Sequence, residues 1–244
     1  MPICRFSFNI KDWAIVCNKK LTIDDWKKGE VFWQTNAAHF ENVSPELAFL
    51  PAIKRRRLSP SARLFFESAW QLLGENKNIP VVYASSNGEI SRNFALWHSL
   101  LKDGDISPTS FSLSVHNALI GQWSELGGVK AETTALTALQ DNLEIALLEA
   151  YLLLNDGADR VLVVVAESPL DAQYNASPIY RQPFSYALSL LVERGEDYKL
   201  SLVSDEGQPL GRDNALSWVQ QQYLANTQWQ TKSSRGNIWQ WEKN

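Results

Sequence analysis

The sequence predicts an α/β domain in which a mixed, mostly parallel sheet lies between helical layers. Three observations carry this. Two short runs, Ile79–Ala84 and Arg160–Ala166, are almost wholly apolar and rich in β-branched residues, as in strands covered on both faces. Segments with helical apolar spacing alternate with them, the strongest being Ala138–Leu154. With 244 residues, 45% hydrophobic and 20% charged, the chain can bury a large core. No Gly/Ser linker, low-complexity stretch or internal repeat divides it, so residues 1–244 read as one domain.

Taken in order, Phe6–Cys17 mixes apolar and polar residues as a strand or hairpin does, and Thr22 followed by Asp24 and Asp25 reads as an acid-rich helix start. Ser59-Pro60 opens a helix because serine caps well and proline fits the first helical position. Leu64, Phe65, Ala69, Leu72 and Leu73 keep its spacing, and Gly74 closes it. Ile90–Leu101 is helical and ends at Gly104, and Ser107-Pro108 starts a helix expected to run through Ser112 to Leu126, where Gly127-Gly128 breaks it. A brief strand is expected at Val129–Thr134. Along Ala138–Leu154, Leu139, Leu143, Ala146, Leu147, Ala150, Tyr151 and Leu154 form the buried stripe, with Asp141, Glu144 and Glu149 off it. Tyr186–Val192 and Lys199–Val203, separated by Gly195-Glu196-Asp197, predict an antiparallel hairpin. A helix at Ala215–Leu224 and a Trp-rich tail (Trp229, Trp239, Trp241) follow.

Composition narrows the function. A net charge of −4 gives no sequence-wide attraction to nucleic acid or an anionic membrane, and no signal peptide or bilayer-spanning stretch is present. A cytoplasmic location with reduced thiols is the simplest expectation, although the spacing of Cys4 and Cys17 leaves one disulfide open. No metal or cofactor is expected, since Cys and His are scarce and dinucleotide, P-loop, zincin and GxSxG motifs are absent. His39, His98 and His116 read as surface or packed residues, and Ser85-Ser86-Asn87-Gly88 as a strand-to-helix turn. Lys54-Arg55-Arg56-Arg57 is the one basic run, a solvated cluster or a docking patch for an acidic partner.

Three separated segments carry a family resemblance: Leu50–Leu64 (LPAIKRRRLSPSARL), Val82–Glu89 (VYASSNGE) and Ser107–Gly121 with its Asn117. Together with Thr133-Thr134-Ala135-Leu136-Thr137-Ala138 and the strand beginning near Arg160, they resemble the β-ketoacyl synthases, over roughly residues 1–205 and the N-terminal half of that fold. The match is to short, chain-length-factor-like homologues found with aryl polyene and related fatty acid or polyketide pathways. The resemblance implies a thiolase-like half-fold, a single β-ketoacyl synthase N-terminal-like domain. In the family a short strand delivers a nucleophilic cysteine to the N-terminus of a buried helix, and Leu136 aligns with it here, within a few residues. No residue from Val129 to Ala150 is Cys. The family's two catalytic histidines and lysine lie in a second half with no counterpart in these residues, which implies a partner that carries them. The resemblance therefore implies a noncatalytic subunit that heterodimerises with an active β-ketoacyl synthase and shapes the tunnel for an acyl or polyene chain carried by an acyl carrier protein. It assigns tunnel and chain-length roles to Phe111, Val115, Leu119, Trp123 and Leu136. It places the dimer interface at Asn117, Ala131, Thr133, Thr134 and Ala135, and offers Lys54, Arg55, Arg56 and Arg57 for carrier-protein docking.

A thiolate must hold the acyl group in decarboxylative condensation, and leucine cannot. Two other readings stay open: a stand-alone acyltransferase or hydrolase using Ser85, Ser86 or Ser124 with His116, and a homodimeric scaffold that binds an acyl carrier protein.

Overall fold

The computed structural model describes residues 2–74, 76–171, 173–174, 180–205 and 212–244. Its centre is a seven-stranded sheet in the order β3-β2-β4-β5-β7-β6, with β1 paired to β5. The strands are β1 (Cys4–Cys17), β2 (Val81–Ala84), β3 (Thr133–Leu136), β4 (Arg160–Glu167), β5 (Tyr186–Val203), β6 (Gln228–Lys232) and β7 (Ile238–Lys243). The helices are α1 (Ile23–Lys28), α2 (Glu30–Asn36), α3 (Ala52–Arg55), α4 (Pro60–Leu73), α5 (Ile90–Asp103), α6 (Pro108–Ser112), α7 (Ala118–Gly127), α8 (Asn142–Asn155) and α9 (Asn214–Tyr223).

The central strands behave as their composition requires. On β4, Val161, Val163 and Val165 pack with Leu143, Leu147 and Ala150 of α8, while Leu162, Val164 and Ala166 pack on the other face with Phe65 of α4 and Trp123 of α7. Two hydrophobic layers therefore share one strand, which explains why Val161–Ala166 is apolar at every position. The caps form as read: Ser59 Oγ accepts from Ala62 N (3.1 Å), and Thr22 makes a capping box with Asp25.

Several expectations are corrected. The sheet is mixed but mostly antiparallel, since only β2 with β3 and β2 with β4 run parallel. Parallel neighbours need helical crossovers, which the chain makes between β2, β3 and β4, whereas β4 with β5, β5 with β7 and β6 with β7 run antiparallel. Residues 186–203 are one strand and not a hairpin. Phe8 pairs with Tyr198 but the next residue, Asn9, pairs with Glu193, so residues 194–197 bulge out of the ladder. The Asn9 side chain fills the bulge, accepting from Asp197 N (2.9 Å), and a Cβ at Gly195 would lie 1.9 Å from its Oδ1. Residues 4–17 likewise form one 14-residue strand. Cys4 and Cys17 stand at its opposite ends, about 43 Å apart at strand rise, so they cannot bond to each other.

The helix expected from Ser107 to Leu126 is two, α6 and α7. Ser112 and Ser114 hydroxyls donate to the Thr109 and Phe111 carbonyls (2.9 and 2.8 Å), offering the backbone local partners that compete with helix continuation. The Trp-rich tail is the β6–β7 hairpin, with Trp229, Trp239 and Trp241 buried and Trp229 stacked on Trp241 at 5.4 Å. Asp141 and Glu144 are buried, not off the buried face, whereas Leu139 leaves the stripe and is 66% exposed.

Candidate functional site at the turn between strand and helix

The chain leaves β3 at Leu136, passes Thr137 and Ala138, and enters a single 3-10 turn at Leu139–Asp141 that runs directly into α8. Leu139 has φ +54°, the left-handed region that costs a residue with a Cβ about 1–2 kcal/mol. Strain combined with exposure of a large apolar side chain marks a position held in place by its surroundings. Two side chains hold it. Ser86 Oγ donates to the Leu139 carbonyl (3.2 Å), and Asn142 Oδ1 accepts from Ala138 N (2.7 Å). Leu139 lies at the edge of a cavity of about 1020 Å³, whose walls include Asn87, Gln140, Leu143, Glu167, Gln182 and Asp213.

Glu167 ends β4 beneath this turn and is buried. Its carboxylate accepts from Ser86 N, Asn87 N (3.3 Å), Ser85 Oγ (3.2 Å) and Asn142 Nδ2 (2.9 Å). Burial pushes its pKa up to about 8 against the pull of these donors. Asp213 caps α9 and accepts from Leu216 N (3.0 Å) and from the Tyr186 hydroxyl at both oxygens (2.8 and 2.7 Å); burial raises it as well. Behind the turn, Asp141 accepts from Ser233 Oγ (3.1 Å), Ser234 N (3.0 Å), Ser234 Oγ (2.6 Å) and Trp239 Nε1 (3.0 Å). Glu144, one turn on, accepts from Thr231 Oγ1 (2.6 Å) through one oxygen while the other has no partner, and burial lifts it to about 8.

The tunnel, interface and docking residues singled out in the sequence do not converge on this cavity. Leu136 is a strand residue paired with Ala84, partly buried and three positions before the turn. Leu119 and Trp123 are buried in the layer under α7, whereas Phe111 and Val115 stay on the surface at 58% and 48% exposure. Thr133, Thr134 and Ala135 lie on β3, whose outer edge pairs with no strand among the described residues; Ala131 precedes it, and Asn117 precedes α7. On the surface, α5 buries none of its residues and exposes Trp97, Leu100 and Leu101. Lys54 pairs with Glu125 (2.7 Å) and Arg55 donates to the Glu46 carbonyl (2.8 Å), leaving Arg56 and Arg57 outermost in the basic run.

The serine–histidine reading finds no geometry. The His116 ring nitrogen meets the Ser85 carbonyl oxygen (2.9 Å), not a hydroxyl; Ser85 Oγ goes to Glu167 and Ser124 Oγ to its own helix at Ile120 (3.1 Å). Among the described residues no His, Cys, Asp and Glu cluster is arranged to hold a metal, and no helix is long and apolar enough to cross a membrane.

The family model of the β-ketoacyl synthase N-terminal domain matches residues 26–242. The chain belongs to that family. None of the curated proteins matches this β-ketoacyl synthase homologue. Among solved structures it is similar to a ketosynthase in complex with its chain length factor from Xenorhabdus doucetiae, at TM-score 0.79 and 22% identity over 98% of this chain and 100% of that one. The ishigamide ketosynthase/chain length factor follows at TM-score 0.63 and 12% identity, over 90% and 81% of the two chains. A type II polyketide acyl-carrier protein in complex with its hexaketide-bound ketosynthase matches at TM-score 0.63 and 11% identity, over 97% and 99%. At such identities the likeness is one of fold, and the thiolase-like ketosynthase fold is the one expected.

Glu167, Asn142, Asp141 and Asp213 were not legible as site residues. The available signal was an acid closing the most apolar strand of the chain, where a charge is retained only if the fold surrounds it with donors.

Proposed function

We propose that this β-ketoacyl synthase homologue is a noncatalytic, chain-length-factor-like subunit that heterodimerises with an active β-ketoacyl synthase and shapes the tunnel for a carrier-protein-bound acyl or polyene chain. The observation that carries this is the leucine at the start of the buried helix. In the family resemblance the nucleophile stands at a helix N-terminus fed by a short strand. Leu139 begins that helical segment while Leu136 is still strand, so Leu139 is the better occupant of the nucleophile's place. The chain's two thiols, Cys4 and Cys17, are both on β1, and burial holds the second up at about 11, which leaves it inert. An apolar side chain there can wall a cavity but cannot carry an acyl group.

The β3 edge, which pairs with no strand among the described residues, supports pairing with a partner strand at Ala131–Ala135, because an open edge is a liability that association removes, and Asn117 before α7 is assigned to the same interface by the family resemblance. Exposed Phe111 and Val115 suit the partner-facing surface or the tunnel mouth; Leu119 and Trp123 would act on the tunnel by shaping the packing behind it. Arg56 and Arg57 offer an acidic carrier protein its cationic contact, with Lys54 and Arg55 behind them. Two similar solved structures contain a ketosynthase together with a chain length factor.

Co-expression with a β-ketoacyl synthase from the same genome tests the reading. The two chains should co-purify in equal amounts, and replacing Phe111 by Ala should lengthen the product. A chain that stays monomeric beside such partners refutes it. A homodimer that leaves product length unchanged by the Phe111 substitution instead establishes the scaffold reading.

A further inference from the structure

Leu139 is gripped from two directions by buried carboxylates, Glu167 from a distant strand and Asp141 from the end of its own turn. From below, Glu167 gathers four donors from two separate segments, Ser85 to Asn87 after β2 and Asn142 at the start of α8. Ser86 and Asn142, once fixed, are the residues that bond the Leu139 carbonyl and the Ala138 amide, and Asn142 Nδ2 also donates to Ser86 Oγ (3.0 Å). From behind, Asp141 ties the end of the same turn to Ser233, Ser234 and Trp239 of the C-terminal hairpin. Burying a carboxylate costs several kcal/mol unless its hydrogen bonds are complete, and packing alone would be served better by an apolar residue. A network kept at that cost specifies a conformation.

We propose that Glu167 is a positioning residue that acts through Ser86 and Asn142 to hold position 139 in left-handed backbone at the helix N-terminus, facing the cavity, with Asp141 anchoring the turn to the β6–β7 hairpin. This rests on the reading that Leu139 occupies the nucleophile's place. The side chain at 139 is thereby presented and not merely tolerated, so its chemistry is what the site offers. A glutamine at 167 keeps one acceptor oxygen and turns an amide group toward one donor pair, either Ser86 N with Asn142 Nδ2 or Ser85 Oγ with Asn87 N, so in either orientation the Ser85–Asn87 segment that carries Ser86 loses part of its anchorage.

A thiol placed at position 139 reads the geometry directly. In full-length Leu139→Cys, iodoacetamide alkylation is followed against pH, with Cys4 and Cys17 distinguished by peptide mass. A helix N-terminus lowers a thiol below the ordinary value of about 8.5, so the new thiol should react with a midpoint about one pH unit lower. Adding Glu167→Gln should return the midpoint toward the ordinary value and slow alkylation at pH 7 by about tenfold. Ser86→Ala, which removes the bond to the Leu139 carbonyl and the one from Asn142 Nδ2 at a surface position, should act in the same direction and covers the case in which Glu167→Gln does not fold. An ordinary thiol midpoint in the single variant overturns the proposal. So does an identical profile when Glu167→Gln, or failing that Ser86→Ala, is added to a chain shown to be folded by circular dichroism. The assay needs no partner chain: identical profiles with intact co-purification remove the clamp alone, and failed co-purification with the expected profiles removes the subunit reading alone.

Discussion

Glu144 makes the stability of this protein depend on pH in a direction opposite to the usual acid-sensitive carboxylate. The side chain is fully buried, bonded at one oxygen and unpartnered at the other, and burial lifts it from an ordinary 4.5 to about 8. Between those values the folded chain keeps a proton that the unfolded chain has released. Because the folded-state value is raised, the stabilisation is complete below pH 4.5 and is lost as pH rises through about 8. Each pH unit in that window removes about 1.4 kcal/mol, so moving from pH 5 to pH 7 should cost about 2–3 kcal/mol from this group alone. Glu144→Gln cannot ionise. Urea unfolding at pH 5, 6 and 7 should show the variant losing about 2–3 kcal/mol less than the parent over that range. Glu167, raised for the same reason, adds to the fall in both proteins and cancels in the difference. Parallel curves for parent and variant would show that the buried carboxyl is ionised in the fold and refute the argument.

Three further outcomes follow from particular contacts. Gly195→Ala places a methyl 1.9 Å from Asn9 Oδ1 and should destabilise by about 1–3 kcal/mol; adding Asn9→Ala should recover part of that loss, measured as the coupling in a double-mutant cycle. Trp239→Phe leaves one Asp141 oxygen without its indole donor and should cost about 2–3 kcal/mol in urea titration. Phe111→Ser and Val115→Ser should change stability by less than about 0.5 kcal/mol while Trp123→Ala costs about 3–5 kcal/mol, a contrast that separates a partner-facing surface from the core in the isolated chain.

What could be read in advance was local. Ser59-Pro60 announced α4, and the unbroken apolar run of Arg160–Ala166 announced a strand covered on both faces, because caps and periodicity are written in neighbouring residues. Pairings over long separations were not. Gly195-Glu196-Asp197 has the composition of a turn, and only the Asn9 side chain, 186 residues earlier than Gly195, makes it a bulge in a continuous strand. Thr-Ala-Leu occurs twice, at 134–136 and 137–139, and composition does not say which copy ends the strand and which makes the strained turn. The buried acids escaped notice because helical spacing puts Asp141 and Glu144 beside the apolar stripe, and it is the hairpin from residues 228–243 that folds over them.

The sheet's pairing order bears on how the protein is made. Strand β1 is made before the other strands of the sheet, yet among the described residues it pairs only with β5, and the outer half of β5 is in turn completed by β7. The first fourteen strand residues must therefore stay unpaired while more than 160 others are synthesised, a wait set by topology and not by local propensity. At about 5–20 residues per second that interval lasts on the order of ten seconds or more. Throughout it, Phe6, Phe8 and Trp13 have no sheet to join. Nascent chains stalled before residue 186 should bind chaperones that hold extended apolar segments, and release from them should coincide with the emergence of β5.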